Sequence, residues 1–237
     1  MSSFNAKEVP IKGGNFVEQL PLDPGGYPAR VVVVANLGLH VQEYQGTVKE
    51  PKNLIGMTYE CLDEFMKDED GEDVEDKPRW FSETFPFNNL SNDRAKSTLR
   101  YKAIDPSENY GGDFSKLLDT PVVINLIKKK SKKDAEKVYN NIDSISTMRV
   151  KEANSAPELI NTPQLFDFYS PTEESWKALN PWFQREAKGA IDYPGSDLEA
   201  LVNSLEEEVE EKKDEKPAKK SFSAPKDKKS SNDKSDW

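Results

Sequence analysis

Leu90-Ser91-Asn92-Asp93-Arg94-Ala95-Lys96-Ser97-Thr98-Leu99-Arg100-Tyr101-Lys102-Ala103-Ile104-Asp105-Pro106 is where the hydrophobic period of this chain changes. The Ser-Asn-Asp run offers side-chain oxygens to the unpaired N–H groups that open a helix. Asp105-Pro106 stops it, because the proline ring disfavours helical backbone in the residue before it. The spacing predicts a helix over 94–104. Its apolar stripe is Ala95, Leu99 and Ala103, with Lys96 and Arg100 one turn apart beside it. On both sides of this segment the pattern belongs to strands.

Upstream, Ala29-Arg30-Val31-Val32-Val33-Val34-Ala35-Asn36-Leu37 is β-branched and apolar, as a buried strand ending at Gly38 would be. Residues 41–45 continue it past a glycine bend. A turn over 46–51 carries Lys49, and Lys52 follows. A second strand over 53–62 alternates Ile55, Met57, Tyr59 and Cys61 with Gly56, Thr58 and Glu60. A third, over 79–87, carries Trp80, Phe81, Phe85 and Phe87. Trp80 and Phe81 are adjacent, so on a strand they point to opposite faces.

Downstream, residues 114–118 suit a short helical turn and 120–127 a fourth strand. Lys128-Lys129-Lys130-Ser131-Lys132-Lys133 reads as a basic loop and 137–148 as a fifth strand or a strand pair. Residues 149–172 are loop-like, and helices are expected within 171–188 and 197–211. The Lys-, Ser-, Asp- and Pro-rich remainder is too polar to bury a core and is expected to be disordered.

Five strands with one helix between the third and fourth is the element order of an OB-fold. The chain is therefore expected to be mainly β: a five-stranded OB-fold-like barrel with a helix between strands 3 and 4, then C-terminal helices and a disordered tail. The corresponding segments are an irregular Gly/Pro-rich lead-in (1–28), the core (29–150), a helical extension (151–211) and the tail (212–237). Such barrels hold oligonucleotides across strands 2–3 and through the loops joining strands 1–2 and 4–5. Here those loops contain Lys49 and Lys52, and five lysines in six positions.

The formal charge of the 237 residues is −10, which looks hostile to nucleic acid. Residues 60–76, however, hold ten acids against Lys67 alone, so −9 of the total lies in one stretch. A basic groove elsewhere is compatible with that distribution. The acidic stretch reads as a solvated connection between strands. Placing Gly71 sixth in a calcium-binding loop puts Met66 and Lys77 where carboxylates are required, so that motif fails. One Cys and one His exclude an internal disulfide and a Cys/His zinc site. No glycine-rich phosphate-cradling motif is present. His40 and Cys61 suit surface or core positions, so no catalysis and no cofactor is expected. No run of about 18 apolar residues is present to span a membrane, and the N-terminal residues lack a secretory signal pattern. A cytoplasmic location is expected.

Several short motifs occur in a telling order: Asn36-Leu37-Gly38, Tyr44-Gln45-Gly46, Tyr59-Glu60 and Lys96-Ser97-Thr98-Leu99-Arg100. They are followed by Leu117-Leu118-Asp119-Thr120-Pro121-Val122-Val123-Ile124, Tyr139-Asn140-Asn141-Ile142 and Pro181-Trp182-Phe183. In this respect the chain resembles the bacteriophage single-stranded DNA-binding proteins of OB-fold type, over roughly residues 28–190. It departs from them after the Lys-Ser helix, where it reads Ser107-Glu108-Asn109-Tyr110-Gly111-Gly112.

The resemblance implies sequence-nonspecific binding of single-stranded DNA in phage replication or recombination. Aromatic faces would stack on bases and cations would pair with phosphates. The candidate platforms are Tyr44, Tyr59, Trp80, Phe81, Tyr101 and Tyr139. The candidate phosphate partners are Lys49, Lys52, Lys96, Arg100, Lys102, Lys128, Lys129, Lys130, Lys132 and Lys133. Asp236-Trp237 closes the tail with a carboxylate and an indole that suit a pocket on a replication or recombination partner. An acidic protein-interaction adaptor without a DNA groove is the alternative, and a metal-dependent nuclease stands far behind.

Overall fold

The computed structural model describes residues 17–131, 134 and 136–214. Five strands pair antiparallel in the order β3-β2-β1-β4-β5: β1 (Gly25–Tyr44), β2 (Thr47–Lys67), β3 (Asp73–Pro86), β4 (Pro121–Lys130) and β5 (Val138–Thr147). The chain is mainly β, as its patterning predicts. The sheet is open, because no ladder joins β3 to β5 among the described residues. A helix occupies that gap. On α1 (Lys96–Ile104), Arg100 donates to the Glu83 carboxylate of β3 at 2.7 and 3.0 Å and to the Asp143 carbonyl of β5 at 3.3 Å. From β5, the Thr147 hydroxyl donates to the Ala103 carbonyl at 2.7 Å.

Under α1 lies the main core, which includes Val31, Val34, Met57, Tyr59, Phe85, Tyr101, Phe114 and Ile124. The opposite face of β1 and β2 is covered by C-terminal segments. A short helix α2 (Val150–Ala153) follows β5, and β6 (Gln164–Asp167) then pairs parallel with β1, Val33 opposite Gln164. Next come α3 (Glu173–Ala178) and α4 (Pro181–Lys188), capped by the Thr172 and Asn180 side chains. A Cβ on Gly56 of β2 would stand 2.8 Å from the Phe183 ring of α4. With both faces covered, β1 needs a continuous apolar run rather than an alternating one, which explains its four consecutive valines. The chain divides into two compact units after Leu201, and α5 (Asp197–Asp214) crosses that division.

Three local expectations are corrected. The turn expected over 46–51 is only Gln45-Gly46, whose positive φ values of 51° and 74° suit a two-residue hairpin, so Lys49 and Lys52 lie on a strand. The acidic connection is mostly ribbon, because β2 runs to Lys67 and β3 begins at Asp73. The buried face of α1 is Ser97, Thr98, Arg100, Tyr101 and Ile104, while Leu99 is 54% exposed. That phase differs from the apolar stripe because polar partners inside the fold satisfy Arg100 and Tyr101.

Candidate nucleic-acid interface

The end of the β4–β5 ribbon gathers the basic run. Lys128, Lys129 and Lys130 pair in register with Asn140, Tyr139 and Val138, and all three lysines are exposed. Directly opposed residues in an antiparallel ladder share a face, so the Lys129 side chain and the Tyr139 ring, 43% exposed, leave the ribbon on the same side. Lys128 also bonds Asp23 at 2.7 Å. Because that pair is largely exposed, it is weak, and a phosphate can compete for the lysine.

The β1–β2 ribbon presents Lys49 opposite Gln42 and Lys52 opposite His40, with Tyr44 pairing Thr47 at its tip. Lys49 is exposed, and the Lys52 ammonium hydrogen-bonds the Asn88 side-chain oxygen.

Across β2–β3 the two adjacent aromatics part as the pleat requires. Phe81 packs against the main core, with the Arg79 guanidinium 5.8 Å above its ring. Trp80 turns to the other face, half-buried, and its indole N–H donates to Glu60 at 3.0 Å. Glu60 is only 1% exposed and accepts three further bonds, from Ile160 N (2.7 Å), Asn161 N (3.5 Å) and Asn161 Nδ2 (2.7 Å).

Three expected contact residues are corrected, because they are buried. Tyr59 and Tyr101 are wholly inaccessible, so neither ring offers a face to a base. The Tyr59 hydroxyl donates to Glu83 at 3.1 Å. The Tyr101 hydroxyl donates to Asp105 at 3.1 Å and accepts from Gly112 N at 2.8 Å. Arg100 is tied to Glu83, so its charge faces a carboxylate rather than solvent. Burial pushes the Glu83 carboxyl upward, but bonds and charge from Arg100 and then Lys96 outweigh it and hold the group below the usual glutamate range. Lys96 sits 2.8 Å from Glu83 yet keeps 43% side-chain exposure, and Lys102 pairs at the surface with Asp93. Lys132, Lys133, Asp236, Trp237 and the Tyr44 ring lie outside the described residues.

The candidate contact residues left accessible include Lys129 with Tyr139, the neighbouring Lys128 and Lys130, Lys49, Lys52, Lys96 and the half-buried Trp80. Phe87, in the sequence simply one of the third-strand aromatics, emerges 41% exposed just past the end of β3. Its parity with Phe85 suggests the core, but the strand ends at Pro86 and releases it. Among the described residues no group of three or more His, Cys, Asp or Glu side chains is arranged to hold a metal ion, and no helix is long and apolar enough to cross a membrane. Burial first, then Asp63 and Glu64, push the Cys61 thiol up to about 12, which keeps it protonated and inert at neutral pH. No protein-family model and no curated protein matches the chain.

Proposed function

We propose that this chain is a sequence-nonspecific single-stranded DNA-binding protein of the OB-fold kind, serving phage DNA replication or recombination in the host cytoplasm without catalysing a reaction. Its C-terminal tip would recruit partner proteins. The observation that carries this reading is the pairing of Lys129 with Tyr139 on an exposed ribbon. A cation beside an open ring supplies the two elements that a single strand needs, a phosphate partner and a base platform. The strand order, and the helix spanning the gap between β3 and β5, support the barrel type by analogy. The −10 total does not oppose it, since Asp68, Glu69, Asp70 and Glu72 sit exposed at the tip of a different ribbon. That same tip is the one observation favouring the acidic adaptor.

Titration of the full chain with oligothymidylate, followed by tryptophan and tyrosine emission, tests the proposal. Quenching that weakens steeply with added salt supports it. No binding at low salt rejects it in favour of the adaptor.

A further inference from the structure

Behind the end of β3 the chain leaves a recess of about 440 Å³ lined by Phe87, Asn88, Asn89, Leu90, Gly111 and Gly112. That volume is in the range of small-ligand sites, about 300–1,000 Å³. Its walls are fixed by the fold. Asn88 N donates to the buried Ser97 hydroxyl at 3.1 Å, and the Thr98 hydroxyl donates to the Asn89 carbonyl at 3.3 Å, so α1 holds one wall. The glycine wall is held through Gly112 N on the Tyr101 hydroxyl and Tyr110 N on Asp105 at 2.9 Å. Gly112 has φ +89°, and a Cβ there would stand 3.2 Å from Leu90. A side chain at that position would narrow the recess.

Phe87 meets Phe114 edge to face, with centroids 5.4 Å apart at 90°, which orients the ring while leaving it 41% exposed. The Asn89 side-chain oxygen accepts from Ser91 N at 2.9 Å, and its Nδ2 has no acceptor among the described residues. At the rim stands the Lys52 ammonium, on the Asn88 amide; Lys96, paired with Glu83 at 2.8 Å and 43% exposed, precedes the Ser97 and Thr98 that hold the asparagine wall. Exposed Glu108 and Asp113 flank the glycine wall. The charges therefore have a direction, cationic on the strand side and anionic on the glycine side.

We infer that this recess takes one unstacked nucleobase of a bound single strand, with its ring against Phe87, an edge acceptor (a carbonyl oxygen or a ring nitrogen) on Asn89 Nδ2 and its flanking phosphates on Lys52 and Lys96. A flat heteroaromatic ring with acceptors at its edge and anions at its back matches the ring, the free amide donor and the polarity of the rim. A base is sequence-tolerant here, because every base has a face. The inference rests on the single-strand reading above and adds a subsite off the expected path across strands 2–3.

The test compares the full-length wild type with Phe87→Leu and Phe87→Trp, using oligothymidylate at several salt concentrations. Leucine keeps apolar bulk against Phe114 but removes the π face, so affinity should fall about tenfold with an unchanged salt slope. Tryptophan keeps the face, retains affinity and adds a quenchable reporter. Equal denaturation midpoints show that both variants are folded. Wild-type binding with an unimpaired Phe87→Leu variant overturns the recess and leaves the single-strand reading standing. A wild type that binds no strand overturns both.

Discussion

Arg30 and Glu60 stand directly opposite one another on β1 and β2, and both direct their charge at the same crossing segment. The Arg30 guanidinium donates to the carbonyls of Pro157 (2.8 Å) and Ala156 (3.3 Å), while Glu60 accepts the N–H groups of Ile160 and Asn161. A cation reads carbonyls and an anion reads amides, so residues 156–161 are strapped across the sheet by a split charge pair. The strap lies beside Trp80, whose indole shares the same carboxylate.

Glu60→Ala removes four accepted bonds at once. The donors lie in part-buried or exposed residues, so each lost bond costs about 0.5–1.5 kcal/mol, and together they should lower the urea midpoint clearly. Loss of the Trp80 partner should also alter tryptophan emission. A variant with wild-type midpoint and spectrum would show that the strap needs no anchor.

The buried Glu83–Arg100 pair should behave as a pin between helix and sheet. Removing Arg100 leaves the buried Glu83 carboxylate with only the half-exposed Lys96 and the Tyr59 hydroxyl, so Arg100→Leu should cost up to about 3–5 kcal/mol. The pH dependence follows from the depressed Glu83 carboxyl. A group lowered in the folded state stabilises fully above its unfolded value and loses that contribution as pH falls through the lower folded value. Stability should therefore drop below the ordinary glutamate range, and less so in Glu83→Gln, which starts weaker. Equal acid sensitivity of the two proteins would remove Glu83 from this role.

Gly56→Ala should destabilise the fold although β2 tolerates alanine by backbone. The new methyl would stand 2.8 Å from a fully buried Phe183 ring that cannot withdraw. Overpacking of this kind costs about 1–3 kcal/mol. Chemical denaturation reads it, and Phe183→Leu in the same chain should recover part of the loss by vacating the space.

The five antiparallel strands and α1 are legible in the sequence because each announces itself locally: valine runs, alternation around Met57 and Tyr59, and the Asp105-Pro106 stop. β6 is not, since Gln164-Leu165-Phe166-Asp167 becomes a strand only by lying along β1. The buried face of α1 escapes the pattern for a related reason. Arg100 and Tyr101 look like surface residues until the fold brings up their partners, Glu83 from β3 and Asp105 from just past the helix. Of the candidate site, the Lys129–Tyr139 pairing is not legible, because Lys128–Lys130 read as a loop and only the ladder with β5 shows them continuing β4; Phe87 and the Arg30–Glu60 clamp likewise depend on where strands end and loops return.

Changing Lys128, Lys129 and Lys130 together to Ala should weaken oligothymidylate binding without unfolding the chain. The three side chains are exposed, and the ion pair of Lys128 with Asp23 is exposed as well. Little native stability is therefore at stake. Each phosphate partner removed should flatten the log–log salt slope by roughly 0.7, so deleting three cations lowers it by about 2. Tyr139→Ala should do the opposite, reducing affinity by the value of one stacked base, about 1–3 kcal/mol, at a nearly unchanged slope. The two variants thus separate the cation from the ring on one ribbon. A triple variant with wild-type affinity and slope would remove this ribbon from the interface and shift the path toward Lys49, Lys52 and Lys96.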